Sequence, residues 1–336
     1  MERRSREIRL VARPAGFPGE ELFEVAEVDV AEPADGQILI RNAYFSVDPY
    51  MRPRMNDVRS YVAPFTLGEP MTGGAVGRVV ASRHESLAEG DWVVHGLGWR
   101  EWALSDGSGV RVVDPGIAPV STALGALGMP GFTAYHGLFE IGKPQPGEVV
   151  FVSGAAGAVG SAAGQMAKIA GCRVIGSAGS PEKIGWLREL GFDEAFDYRE
   201  EPVRMALARV APDGIDVYFD NVGGDHLEAA IGSLRTHGRI AACGSISRYN
   251  DVEPAPGPRN MFMVVTKRLL LQGYIISDHY GRFPEFLAAA SEWVRARKLQ
   301  YRETVIDGIE NAPGAFVGLL RGENIGKMLV KVGPAD

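Results

Sequence analysis

From Val149 to Gly160 the chain reads VVFVSGAAGAVG, and no other stretch narrows the choice of fold as much. Residues 149–153 are apolar or small and mostly β-branched, the pattern of a strand buried on both faces. A run of small residues follows, Gly154, Ala155, Ala156, Gly157, Ala158 and Gly160, and then a helical pattern over 161–171. A strand, a tight turn of small residues and a helix let a backbone approach a pyrophosphate and offer it N–H groups at the helix N-terminus. The spacing is G-x-x-G-x-x-G, with Ala155 where the stricter G-x-G-x-x-G has its first glycine. A bare packing turn satisfies the same pattern, so its weight comes from what surrounds it.

The surroundings are a two-part chain. At 336 residues it exceeds one ordinary domain. Up to about residue 115 it reads as short β runs, at 8–11, 23–28, 38–42, 74–81, 91–95 and 99–104, separated by Gly, Pro, Asp and Glu turns. That density of strands predicts a small barrel or sandwich. Residues 44–55, YFSVDPYMRPRM, break the pattern and read as a loop, where function tends to sit in such a domain. A helical stretch over 122–142 contains Pro130-Gly131, which should interrupt or restart it. Strands at 149–153, 173–177, 195–197, 217–221, 239–243 and 268–276 then alternate with helices at 161–170, 181–190, 202–210, 226–234 and 283–297. This α/β rhythm predicts an open, doubly wound parallel sheet. The tail, 301–332, returns to short strands around a helix at 313–321 and fits either part.

The net charge of -7 argues against a general nucleic-acid or acidic-membrane binder, which would want a basic face. No run approaches the roughly 18 uninterrupted apolar residues of a membrane helix, and the charged start MERRSREIRLVARP lacks the apolar core of a signal peptide. Two cysteines, Cys172 and Cys243, suggest no disulfide framework, and a cytoplasmic protein is expected. With no Cys before Cys172 and no C-x₂-C, a thiolate zinc site cannot be built, and no metal is expected. The histidines are scattered without ligand spacing. G-x-S-x-G and the Walker pattern are both absent.

In a dinucleotide fold the end of the second strand reads the adenosine ribose. An NAD site would carry Asp or Glu there to accept from the 2′-hydroxyl. This chain has Ser177-Ala178-Gly179-Ser180, with no carboxylate until Glu182, and Lys183 follows. A 2′-phosphate would meet hydroxyl and backbone donors and an ammonium, so NADP is favoured over NAD. Alone, Lys183 also reads as a solvated helix residue. A third piece, YFDNVGG at 218–224, ends a strand on Asn221. Its amide either faces the ligand edge of the sheet or caps the next helix.

Taken with SVDPYMRPRM (46–55), LGMPGFTAYHGL (127–138), GAAGAVGSAAGQMAK (154–168), GSPEKIGWLRELGFD (179–193), YFDNVGG (218–224), GRIAACGSISRYN (238–250) and ENIGKMLVKV (323–332), the chain resembles the medium-chain dehydrogenase/reductase superfamily. Within it, the chain is most similar to the zinc-free branch of prostaglandin reductases, leukotriene 12-hydroxydehydrogenases and alkenal and curcumin double-bond reductases. The resemblance implies a GroES-like catalytic domain from 1–122 and 302–336, with an NADP-binding Rossmann domain, 123–301, between them. It implies cofactor contacts at Gly157, Ala158, Val159 and Gly160 in the turn, at Ser180, Lys183 and Tyr198 near the adenosine phosphate, and at Asn221. Further contacts fall on Cys243, Gly244, Ser245, Ile246, Ser247 and Tyr249, on Tyr274, Ile275 and Ile276, and on Asn324, with Met129 and Thr133 against the nicotinamide. Mammalian relatives carry Tyr where this chain has Thr266, which leaves any role of that hydroxyl without its group here. A homodimer through edge strands is also implied.

Without a metal to act as Lewis acid, a substrate polarised by its own carbonyl is favoured. The expected reaction is hydride transfer from NADPH to the β-carbon of an enone or alkenal, with charge building on the carbonyl oxygen. Tyr50 reads either as the donor to that oxygen or as an aromatic wall. Quinone reduction, secondary-alcohol oxidation and idle NADP binding are the alternatives.

Overall fold

The computed structural model describes residues 3–335. It separates into two compact units, one made of the chain up to Leu124 with the stretch from Glu303 on, the other of Gly125–Arg302.

The first unit holds a separate antiparallel pair, Arg3–Leu10 with Phe23–Val30, and a mainly antiparallel sheet of seven strands. Its spatial order runs Glu303–Asp307, Lys327–Lys331, Ile38–Ser46, Ala75–Ser82, Trp92–His95 and Arg111–Val113, with Trp102–Ser105 also paired to Ile38–Ser46. Irregularities between Leu39 and Ile40 and between Asn42 and Tyr44 bend the long central strand, so that it serves neighbours on both sides. The tail joins here because Lys327–Lys331 pairs with the far end of that strand, Leu329 against Ser46. The core gathers on Trp99, fully buried, with Phe45 stacked at 5.5 Å and Phe316 edge-on at 6.1 Å. The expected loop at 44–55 is more ordered than its prolines suggest. Residues 44–46 continue the strand, and Met51–Arg54 forms one helical turn. Burial of Met51 and Met55 in the same core supplies the stabilisation that propensity lacks.

Beneath this turn lies a buried ion pair. The Lys327 ammonium sits 3.2 Å from Asp48 and donates to the carbonyls of Val47 and Met328. Burial pulls the Lys327 pKa down, and the Asp48 charge opposes that shift. Two stretches far apart in sequence are thereby fastened together, and unpairing either charge would leave the other stranded.

The second unit carries a six-stranded, fully parallel sheet. Its order is Glu194–Asp197, Arg173–Ala178, Val149–Val152, Ile215–Asp220, Leu234–Ala242, Leu270–Gly273. The first strand in sequence, Val149–Val152, therefore stands at the centre, and the order reverses between it and Ile215–Asp220. Val150, Phe151 and Val152 are fully buried, as a strand covered by helices on both faces requires. Pro130 falls in the first turn of the helix Met129–His136, where a missing N–H costs nothing, so the proline restarts the helix. The expected strand over 268–276 shortens to Leu270–Gly273.

Candidate nucleotide and active site

Strand Val149–Val152 ends at the topological switch point, and the turn after it does what its composition predicts. Gly154 adopts φ +58° and lies against Asn221 and Val222 from the neighbouring strand end. The helix Ala158–Ile169 begins earlier than the sequence suggests, so Ala158, Val159 and Gly160 form its first turn instead of preceding it. Its N-cap is Gly157, which has no side chain to satisfy the first-turn N–H groups. A Cβ on Gly160 would stand 2.4 Å from the Gly154 carbonyl oxygen and 2.8 Å from the Ala155 Cα. The turn is therefore closed backbone to backbone, and it opens onto an uncapped helix N-terminus. That fits a pyrophosphate.

The fourth strand ends on a fixed network. Buried Asp220 accepts from the Tyr218 hydroxyl at 2.7 Å and from the N–H groups of Val222 and Gly223 at 3.0 and 2.8 Å. The Tyr218 hydroxyl also lies 2.9 Å from Ser153. Burial raises the Asp220 pKa, while these donors hold it down. The backbone carbonyl of Asp220 accepts from Cys243 and Gly244. One residue thus pins both YFDNVGG and the following loop. Sequence reading missed this role, because Asp220 resembled a neutral part of the motif beside Asn221. The Asn221 amide donates to the Ser153 carbonyl at 2.8 Å. The helix Gly224–Ser233 is capped by Gly223 without a side chain, so Asn221 is not its cap.

The loop from Cys243 to Tyr249 hangs from the same edge. Ile246 and Ser247 donate their N–H groups to Asn221 and Val222, and the Ser247 hydroxyl bonds the Val222 carbonyl at 2.6 Å. Ser245 N–H meets the Tyr249 hydroxyl at 3.4 Å, and that hydroxyl would crowd any side chain placed on Gly244. The Tyr274 hydroxyl donates to the Thr133 carbonyl at 2.8 Å, and Thr133 donates to Met129 at 2.8 Å. This joins the helix start at Met129 to the segment carrying Tyr274, Ile275 and Ile276. Desolvation pushes the Cys243 thiol up to about 12, with the Asp220 charge adding to the shift and the Tyr274 contact opposing it.

The adenosine corner lies at the end of Arg173–Ala178. Ser180 caps the helix Pro181–Glu189 by accepting from the Lys183 N–H at 3.3 Å, and Lys183 is its third residue. Burial lowers the Lys183 pKa, with the nearby Arg199 charge adding to the shift and Glu182 opposing it. Glu182 pairs with Arg302 at 3.0 Å. Tyr198 meets His226 edge-on at 5.1 Å. Thr266 is exposed at the end of the short helix Phe262–Thr266.

Two predicted residues belong to the first unit and are described there alone. Tyr50 is half-buried, immediately before the helical turn Met51–Arg54, and packs on the Trp99 core. Asn324 is buried and donates to the Gly326 carbonyl at 2.8 Å. Among the described residues no three His, Cys, Asp or Glu side chains gather as a metal-ligand set.

Residues 6–113 match the family described as N-terminal domain of oxidoreductase, and residues 158–292 the family described as zinc-binding dehydrogenase. The NADPH-dependent curcumin reductase of Escherichia coli is 45% identical over 100% of this chain and 99% of its own. The chain belongs to the medium-chain dehydrogenase/reductases. It falls in their NADP-dependent double-bond reductase branch, and the 2-alkenal reductase of Nicotiana tabacum is 43% identical to it over 94% of each chain. The crystal structure of CurA from Vibrio vulnificus in complex with NADPH superposes on this double-bond reductase with a TM-score of 0.94. That pair is 45% identical, covering 98% of this chain and 99% of CurA.

Proposed function

We propose that the protein reduces the carbon–carbon double bond of α,β-unsaturated ketones and aldehydes with NADPH and without a metal. The observation that carries this reading is the closed glycine turn on an uncapped helix, beside a ribose corner that holds Lys183 in place of a carboxylate. Near-full-length identity to a curcumin reductase and a 2-alkenal reductase supports the substrate class. Bound NADPH supplies hydride to the substrate β-carbon.

The chain's own residues are assigned as follows. N–H groups at Gly157, Ala158, Val159 and Gly160 take the pyrophosphate. Ser180, Lys183 and Tyr198 take the adenosine phosphate. Asn221, the loop Cys243, Gly244, Ser245, Ile246, Ser247 and Tyr249, the segment Tyr274, Ile275 and Ile276, and Met129 and Thr133 orient the nicotinamide half, with Asn324. In this reading 123–301 is the NADP-binding domain, and 1–122 with 302–336, which carry Tyr50 and Asn324, form the catalytic domain. Tyr50 hydrogen-bonds the carbonyl oxygen as charge develops there, stabilising the enolate until water protonates the α-carbon.

We also assign a cytoplasmic homodimer. Its support is an open sheet edge: all four residues of Leu270–Gly273 are exposed, and Met261, Phe262 and Val265 nearby are exposed as well. Among the described residues no helix is long and apolar enough to cross a membrane.

Following NADPH absorbance with enones, alkenals, quinones and alcohols tests the activity. Turnover with the first two supports it, whereas turnover confined to quinones or alcohols, or none despite tight binding, overturns it. Sedimentation of wild type and Leu271→Lys tests the dimer, which should dissociate in the variant.

A further inference from the structure

The corner assigned to the adenosine phosphate holds a second cation that the sequence pattern did not single out. Strand Glu194–Asp197 runs parallel to Arg173–Ala178 with Asp197 opposite Ala178. Both chains therefore leave the sheet at one point, one as Gly179-Ser180 and the other as Tyr198-Arg199. The Tyr198 N–H donates to the Ala178 carbonyl at 3.1 Å, which fixes the second segment over the first. A Cβ on Gly179 would lie 2.8 Å from the Tyr198 hydroxyl and 3.1 Å from Arg199 Nε. Both side chains thus lie across the bare face of that glycine, and the Arg199 charge reaches the Lys183 ammonium.

Three acids of this corner are engaged elsewhere. Asp197 accepts the backbone N–H of Arg199 at 2.9 Å, Glu182 pairs with Arg302, and Glu201 pairs with Arg209 at 2.6 Å. Among the described residues no carboxylate lies within ion-pairing distance of the Arg199 guanidinium. Two like charges drawn together beside a helix N-terminus repel one another until a dianion comes between them.

We propose that Arg199 is a second cation for the 2′-phosphate of NADPH and, with Lys183, sets the preference of the site over NADH; this rests on the NADPH reading above. The two groups suit different parts of the task. An ammonium supplies a point charge, whereas the planar guanidinium presents paired donors to two phosphate oxygens. With NADH a ribose hydroxyl stands in that place and brings no charge to offset the two cations.

Calorimetric titration with adenosine 2′,5′-bisphosphate and with adenosine 5′-monophosphate tests this without turnover. Arg199→Ala should weaken the bisphosphate about tenfold, leave the monophosphate unchanged and flatten the salt dependence. Arg199→Lys should recover part of the loss. In kinetics the KM for NADPH should rise and that for NADH should not. Wild-type affinity for the bisphosphate in Arg199→Ala, while Lys183→Ala loses it, would overturn the role of Arg199 and leave the NADPH reading intact. Equal binding of both nucleotides by wild type would overturn the NADPH reading and the proposal with it.

Discussion

Two corners of the parallel-sheet unit, both assigned above to the dinucleotide, are built by opposite means. The turn from Gly154 to Gly160 offers only backbone: it has no charged side chain, and its precision comes from a carbonyl and a Cα that leave no room for a Cβ. The corner at Ser177–Lys183 and Tyr198–Arg199 works through side chains, with a cap, two cations and an aromatic ring. In the proposed reading the first recognises a feature common to every dinucleotide, and the second distinguishes one from another. Damage to shape should therefore be indiscriminate, and damage to charge selective.

The largest expected effect is at the turn. Gly160→Ala forces backbone apart and should weaken NADPH and NADH alike, on the order of 10–100-fold, since overpacking of this kind costs about 1–3 kcal/mol. Calorimetry with both nucleotides checks it, and a loss confined to NADPH would break the comparison. Next comes the corner: Lys183→Ala should raise the KM for NADPH about tenfold, the scale of one charge-assisted hydrogen bond. The KM for NADH should hardly move. Equal effects on both would remove the phosphate assignment.

Acid should also act on the corner alone, because the turn has no titrating group. His226, buried behind Tyr198, has its pKa lowered to about 4 by burial, with Asp225 opposing. Its folded value lies below the unfolded one, so the unfolded chain takes up the proton first. Stability is then complete above about pH 6.5 and falls as pH drops toward 4, by up to about 1.4 kcal/mol per unit. Denaturant titrations between pH 7 and 5 should show this slope in wild type, and His226→Phe should reduce it without abolishing it, because His95, whose pKa burial lowers to about 3, adds a slope of its own. The smallest effect is Ser180→Ala, which removes the cap on Lys183 N–H and should cost about 1 kcal/mol. The thermal midpoint should fall, with a modest rise in the KM for NADPH.

The difference between the corners also explains what was legible in the sequence. Glycine spacing is local, so VVFVSGAAGAVG announced the turn and the central strand directly, and alternating strands and helices announced the parallel sheet around them. Lys183 was visible because it follows the second strand by a few residues. Arg199 was not, because its proximity depends on the third strand lying beside the second, a tertiary fact. Asp220 went unread for a similar reason: its partners Tyr218 and Ser153 meet only when two strands pair. The strand and helical turn within 44–55 were misread as loop, because local prolines outweighed a buried Met51 and Met55 that only the folded core reveals. The Lys327–Asp48 pair, joining residues at opposite ends of the chain, lay equally beyond local pattern.

The central claim is that hydride reaches the carbon–carbon double bond of a conjugated carbonyl compound. Single turnover of an enone with NADPH deuterated at the transferred position, followed by mass spectrometry and NMR of the product, tests it most directly. The account predicts a saturated ketone with deuterium on the β-carbon; an allylic alcohol with deuterium on the former carbonyl carbon would contradict it.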